Sequence, residues 1–225
     1  MAVLDANDDT EVVGLCDVVE TKVAALSSLY GGIRYFTDVD TLLSETKPDV
    51  VCIATPHRMH APIAIQCLNA GVHVLVEKPM ALTSDDANLM IDAAEKNQKK
   101  LWVVKQNRFN VPVKLANDAI KSNKLGKIFL VKCDVLWNRN KEYYQNSEWR
   151  GKLDEEGGAL YTQVSHFIDL LYWWLGDIDN AHSMTSTQLH DINIEDNGVA
   201  NVRFNSGTLA SITLSLIHIS EPTRH

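Results

Sequence analysis

Lys78 stands between Glu77 and Pro79, directly after the apolar run Val74-Leu75-Val76. An amine placed there, with a proline ending the strand behind it, is positioned for proton chemistry. In a parallel sheet the ligand crevice is formed by the loops beyond the carboxyl ends of the strands, so a residue's place relative to its strand is itself informative. Three more apolar runs end in the same way. Leu15-Cys16 leads to Asp17, Val50-Val51-Cys52-Ile53-Ala54 leads to Thr55-Pro56-His57, and Leu101-Trp102-Val103-Val104 leads to Lys105-Gln106-Asn107-Arg108. At any one strand end such residues commonly serve solubility alone, and that reading stands level with the functional one. At four consecutive ends they point to one crevice.

The elements that must hold these residues alternate along the first half of the chain. Residues 12–16, 50–54, 73–76 and 101–104 read as strands, and residues 20–29, 61–70 and 84–97 have helical spacing, with a short helix around Leu42-Leu43. Gly31-Gly32 ends the first helix and Gly71 has the place of a left-handed cap. Thr83 or Ser84 caps the helix through Asn97, and Asp85 and Asp86 suit its first turn. Strands alternating with helices imply βαβ units and a parallel sheet with helices on both faces.

Beyond about residue 125 the pattern changes. Residues 127–135 alternate, which predicts an antiparallel sheet with one wetter face. Gly157-Gly158 opens an apolar helix over residues 159–175, closed by Gly176-Asp177. Thr162, His166, Asp169 or Leu170, and Trp173 recur on one face of it. His166 is either a functional group or a core histidine satisfied by a carbonyl or by Asp169. Residues 198–204 and 208–216 pair around the turn Asn205-Ser206-Gly207. The fold class is therefore α/β plus α+β: an incomplete Rossmann-type parallel sheet over residues 1–110, then a partial antiparallel-sheet substrate domain over residues 111–216.

The 225 residues are 45% hydrophobic and 22% charged, ordinary for a globular protein of one large or two modest domains. A formal net charge of −8 argues against nucleic acid as a partner. No run approaches the roughly 18 apolar residues of a membrane helix, and the start lacks an export signal. The cytoplasm is the default compartment. The cysteines at 16, 52, 67 and 133 are widely spaced, which suggests neither a metal site nor a disulfide framework. They are expected to be reduced and mostly buried.

The Thr55-Pro56 loop, Glu77-Lys78-Pro79, Gln106-Asn107-Arg108-Phe109, and Gly157-Gly158 leading to His166-Phe167-Ile168-Asp169 resemble, in order and spacing, the glucose-fructose oxidoreductase / inositol dehydrogenase (Gfo/Idh/MocA) family. The likeness runs from about Glu11 to Ser215. Within the family, residues 104–110 and 158–166 are most similar to bacterial UDP-N-acetyl-glucosaminuronate 3-dehydrogenases of polysaccharide synthesis. The resemblance implies NAD-dependent oxidation of a secondary sugar hydroxyl, at C3 of a nucleotide-linked uronic acid, with Lys78 and His166 moving the proton. Such a reaction needs a base for the hydroxyl proton while hydride leaves the carbon for the nicotinamide. Asp17 would bind the ribose hydroxyls and repel a 2′-phosphate, favouring NAD over NADP. Thr55, Pro56, His60, Glu77, Lys78 and Gln106 would complete the cofactor side. Lys78, Asn107, Arg108, Thr162, Gln163 and His166 would meet the substrate, a small-molecule sugar or UDP-sugar. Arg108 serves equally as a reader of a substrate anion or as a structural ion pair. A homo-oligomer formed through the outer face of the antiparallel sheet is implied in the same way. A rival reading is a non-catalytic relative that senses a sugar nucleotide or dinucleotide.

Two departures stand against the family pattern. The sequence starts just before Glu11, without the first strand and glycine-rich phosphate turn, and Gly31-Gly32 cannot replace them. Many relatives carry an Asp where Thr162 stands, so a carboxylate relay is absent there. Residues 217–225 resemble translated adapter sequence rather than native protein. With both sheets left open-edged, the expectation is a poorly stable, inactive piece.

Overall fold

A computed structural model describes Leu4 and residues 6–217. The chain falls into two compact units that interleave along the sequence. The first comprises residues 1–54, 61–76 and 85–102, and the second comprises residues 55–60, 77–84 and 103–225.

In the first unit β1 (Leu15–Cys16), α1 (Glu20–Leu29), β2 (Tyr35–Phe36), α2 (Val39–Thr46), β3 (Val50–Ile53), α3 (His60–Asn69), β4 (His73–Val76), α4 (Ser84–Lys96) and β5 (Leu101–Val103) alternate, with β2 a strand that the sequence did not announce. They form two sheets rather than one. β1 pairs in parallel with β2, while β4 lies between β3 and β5 and pairs in parallel with β3. The first strand is shorter than the predicted 12–16, because only Leu15 and Cys16 find partners, in Tyr35 and Phe36. Asp38 caps α2 by accepting from the Thr41 amide at 2.7 Å. Ala61, Ala64, Cys67 and Leu68 fall on one stripe of α3 and are buried, as are Val74 and Val76 of β4. Gly71 has φ +79°, the left-handed turn predicted for it.

The cysteines depart from expectation. All four are free thiols, but Cys16 and Cys52 are exposed, Cys133 is half-buried and Cys67 alone is buried. Neighbours on a strand point to opposite faces, so burying Leu15 and Ile53 turns Cys16 and Cys52 outward.

The second unit contains a 3₁₀ turn at His57–Met59, another at Gln106–Phe109, α5 (Val111–Lys121), β6 (Leu130–Leu136), α6 (Lys141–Gln145), α7 (Leu153–Glu156), α8 (Ala159–Thr162), α9 (Ser165–Leu175), β7 (Ile178–Ser186), β8 (Asn197–Phe204) and β9 (Leu209–Ser215). Its sheet has the order β6-β9-β8-β7. The β8/β9 pair is antiparallel, as predicted, and β7, which the sequence did not announce, pairs antiparallel with β8, whereas β6 joins β9 in parallel and makes the sheet mixed. The long helical excursion between β6 and β7 gives the chain room for that crossover. Alternate residues of β8 and β9, among them Val202, Phe204, Ala210, Ile212 and Leu214, pack with Val135, Ala159, Val164 and Leu171 in one core. Ile217 bridges Asn138, and the remainder of the proposed non-native tail, 218–225, lies outside the described residues.

The single helix predicted over 159–175 is two helices. Residues 163–164 separate α8 from α9, and the Ser165 hydroxyl bonds back to the Thr162 carbonyl at 3.0 Å. Thr162 therefore does not share a helix face with His166, Asp169 and Trp173.

Candidate active site

Nearly all the residues singled out in the sequence belong to the second unit: Thr55, Pro56, His60, Glu77, Lys78, Gln106, Asn107, Arg108, Thr162, Gln163 and His166. Asp17 belongs to the first unit, where it follows β1 and its carboxylate accepts from the Val19 amide at 2.8 Å.

The loops after β3 and β4 are tied together by His60. This ring is fully buried, with Nε2 facing the Thr55 carbonyl at 2.9 Å and Nδ1 facing the Pro79 carbonyl at 2.7 Å. Both nitrogens are thus engaged within the protein, and His60 braces the loops instead of presenting itself to a cofactor. The Lys78–Pro79 peptide is cis. The Tyr161 hydroxyl donates to the Ala81 carbonyl at 2.5 Å, fixing the same loop from α8. Gly157 is needed in this packing: its φ is +92°, and a Cβ there would lie 2.8 Å from Leu82 Cδ2.

Lys78 reaches the break between α8 and α9, its Nζ 3.4 Å from the Thr162 carbonyl. Burial lowers the lysine's pKa; Glu77 and Glu156 oppose that shift, while Lys105 and Arg139 reinforce it. His166, on the first turn of α9, is buried, and its Nδ1 has no hydrogen-bond partner. Burial, then the nearby charges of Lys78 and Lys105, lower its pKa against the pull of Asp169 and Glu77. The alternative of a core histidine satisfied by Asp169 is thereby set aside, because Asp169 is already paired. Arg108 grips it through Nε and Nη2, both at 2.8 Å, and lies over the Trp173 ring at 5.2 Å. Of the two roles open to Arg108, the structural ion pair is the one observed.

The sequence reading passed over Glu156, a carboxylate 1% exposed. It accepts from the Gly151 amide at 2.7 Å and from Gln163 Nε2 at 3.3 Å, and the Thr162 hydroxyl oxygen stands 3.4 Å away. The one proton of that hydroxyl goes to the Gly158 carbonyl at 2.8 Å. Position 156 ends a run of three acids, Asp154-Glu155-Glu156, which reads as solvated surface, and only the following Gly157-Gly158 turn hints that its last member folds inward. His57 Nδ1 donates to the Glu156 carbonyl at 3.1 Å, and burial lowers this histidine's pKa too.

Two lowered histidines set a pH dependence. An unfolded histidine titrates near pH 6.5. Below that value the unfolded chain binds more protons at His57 and His166 than the folded chain, so stability rises with pH through this range and falls on acidification. Urea midpoints are expected to drop between about pH 7 and pH 5, and the drop should shrink in a His57→Gln/His166→Gln double variant. An unchanged slope in that variant would count against the assignment.

Two features fit a nicotinamide cofactor and a hydroxylated ligand. Thr55 Oγ1 is buried without a partner on the loop after β3, and His166 Nδ1 is likewise unfilled. Pro56 and Gln106 are exposed at the starts of their turns. Among the described residues no group of three His, Cys, Asp or Glu side chains is placed to hold a metal ion.

Comparison with known proteins divides the chain in sequence, between residues 105 and 113. Residues 1–105 match the model of an oxidoreductase family with an NAD-binding Rossmann fold, and residues 113–224 match the GFO/IDH/MocA C-terminal domain. The chain is 30% identical over 187 residues to D-glucoside 3-dehydrogenase of Escherichia coli K12, covering 78% of this chain and 51% of that protein. The chain spans about half the length of the curated relatives it matches. The WlbA dehydrogenase of Bordetella pertussis, solved with NADH and UDP-GlcNAcA, superposes with a TM-score of 0.92 at 34% identity, over 98% of this chain and 63% of that one. Its Chromobacterium violaceum counterpart, with the same two ligands, gives 0.90 at 34%, over 95% and 62%.

Proposed function

The chain belongs to the GFO/IDH/MocA oxidoreductase family, and from that premise we propose that it serves an NAD-dependent dehydrogenase oxidising the C3 hydroxyl of a UDP-linked uronic acid. The observation that carries the reading is the pairing of Lys78 and His166 in one compact unit. Both are biased by burial toward the uncharged form that accepts a proton, and His166 has an unfilled ring nitrogen.

NAD, when bound, accepts the hydride from the carbinol carbon. Lys78 hydrogen-bonds the hydroxyl and takes its proton as the ketone forms, and His166 supports the same oxygen. Thr55, Pro56, Glu77 and Gln106 meet the cofactor, and Asp17 binds the ribose diol and disfavours a 2′-phosphate. Asn107 would meet the substrate, and Thr162 and Gln163, whose side chains are engaged within the protein, would position Lys78 and Arg139 around it, with residues 1–110 serving the cofactor and 111–216 the sugar. The uronic acid is suggested by the UDP-GlcNAcA bound in the two WlbA structures, each 34% identical to this chain. A second copy would cover the outer side of the sheet, where the cross-strand neighbours Met184 and Val199 are exposed, as are Leu130 and Leu209. A cytoplasmic location follows from the same reading. No helix among the described residues is long and apolar enough to cross a membrane.

The test is a titration with NADH followed by nicotinamide fluorescence, then UDP-GlcNAcA with NAD. Saturable binding and NADH production are expected of a chain that carries these residues together with the glycine-rich phosphate turn of the family pattern. Binding without production over a panel of UDP-sugars would favour the non-catalytic relative, and absence of NADH binding would remove the cofactor assignment.

A further inference from the structure

We propose that Arg139 and Arg150 form an oxyanion-recognition subsite beside Lys78, which takes the carboxylate or the diphosphate of a nucleotide-linked uronic acid. The proposal deepens the functional reading above and rests on it for the identity of the ligand.

The other four arginines among the described residues each pair with an acid: Arg34 with Glu45, Arg58 with Glu155, Arg108 with Asp169 and Arg203 with Asp179. Arg139 and Arg150 have no carboxylate partner among those residues. Aromatic rings hold them instead. Arg139 lies 4.9 Å over Trp137 and 4.8 Å over Tyr143, and Arg150 lies 4.3 Å over the same Tyr143 and 5.4 Å over Trp149. Stacking fixes a guanidinium in place but leaves its in-plane N–H groups to be filled, five on each side chain. Few are filled here. Arg139 Nη2 donates to Gln163 Oε1 at 3.0 Å and Arg150 Nη1 to the Tyr143 carbonyl at 3.4 Å, while both Nε atoms are buried without partners. Two cations thus share one ring with no counter-charge in direct contact, an arrangement that an oxyanion relieves through bidentate, charge-assisted bonds.

The position of the pair makes it useful. Gln163, which Arg139 grips, follows Thr162, whose carbonyl faces Lys78 Nζ. The buried Glu156 carboxylate is bonded to the Gln163 amide and to the backbone amide of Gly151, next to Arg150, and Gln163 Nε2 also donates to the Tyr143 hydroxyl at 2.9 Å. The break between α8 and α9 therefore carries Lys78 on one residue and the arginine cluster on the next. A ligand whose hydroxyl met Lys78 would bring a neighbouring anionic group to Arg139. Arg108, the residue that sequence alone offered for this role, is already paired with Asp169.

Trp137 and Trp149 lie against the two guanidiniums, so intrinsic fluorescence reads the subsite without any turnover. The probes are UDP-GlcNAcA, D-glucuronate for the carboxylate, UDP for the diphosphate and D-glucose as the uncharged control, with a parallel NADH titration. Saturable quenching by UDP-GlcNAcA is expected, weakened roughly 10- to 100-fold by Arg139→Gln or Arg150→Gln and less by Arg139→Lys. Weakening confined to D-glucuronate assigns the carboxylate, and weakening confined to UDP assigns the diphosphate. Arginine-dependent quenching by D-glucuronate or UDP without binding of UDP-GlcNAcA would keep the subsite and remove the functional reading. Equal affinities in folded variants, or a wild-type response to the anions no greater than to D-glucose, would overturn the proposal. That wild-type comparison decides the matter should a variant fail to fold.

Discussion

Lys78→Met is expected to lower sugar-oxidation turnover by roughly 10²–10⁴-fold, the range typical of losing a positioned acid-base group, while NADH binding stays nearly unchanged. Methionine keeps the length and apolar stem but cannot take a proton. The loss should fall on kcat more than on KM, because the proton moves only as the hydride leaves. The sign of the pH effect is fixed by the direction of the shift. Lys78 is pushed down chiefly by burial, and the free amine is the working form, so the oxidation rate should rise with pH through the lowered value and be lost as pH falls through it. That limb should vanish in Lys78→Met. If it persists there and vanishes in His166→Gln, the histidine is the base. Turnover within a few-fold of wild type in Lys78→Met would remove the lysine from the mechanism.

The largest stability effect is expected at Asp196. Its carboxylate is fully buried and accepts from the amides of Gln188, Leu189 and His190 at 2.9, 3.0 and 3.1 Å and from Asn197 Nδ2 at 2.8 Å. Burial pushes its pKa up, but these donors outweigh that and hold it down at about 2. Alanine would leave three backbone N–H groups and the His190 ring without their acceptor, and a cost of about 3–5 kcal/mol is expected. Because the folded pKa lies below the unfolded value of about 3.9, the stabilisation is fully present above that pH and disappears as pH falls toward 2. Chemical denaturation at neutral pH measures the cost, and a loss below about 1 kcal/mol would show that the loop does not depend on this carboxylate. His190 Nε2 also touches the Arg139 carbonyl at 2.6 Å, so the same substitution should disturb the arginine cluster.

Local signals carried the first half of the fold well. The helix over residues 20–29 and the strand over 73–76 are legible residue for residue, because Gly31-Gly32 and Gly71 bound them and the strand is a short apolar run. Where sequence reading failed, the deciding partner was distant in the chain. The apolar run 159–175 keeps a helical period throughout, yet it breaks at residues 163–164; the Ser165 hydroxyl, bonded back to Thr162, was the one local hint. Arg108 could not be assigned until Asp169, 61 residues away, was seen to hold it. Arg139 was invisible for the same reason: between Asn138 and Asn140 it reads as an ordinary polar loop, and only the rings around it make it distinctive. Lys78 and His166 were legible because their types and their places beside strand and helix boundaries were unusual together.

The second unit is assembled from three separate stretches, two of them inserted as loops between strands and helices of the first. Any single crossover with a homologous gene between residues 84 and 103 would give a chimera whose His60 and Lys78 come from one parent and whose Thr162, Gln163 and His166 come from the other. Recombination along this chain thus reshuffles the proposed proton-transfer pair, Lys78 and His166, whenever it exchanges the two halves. Lineages that trade substrate specificity by gene shuffling would keep working sites only where the short inserts at 55–60 and 77–84 travel with, or match, the downstream half.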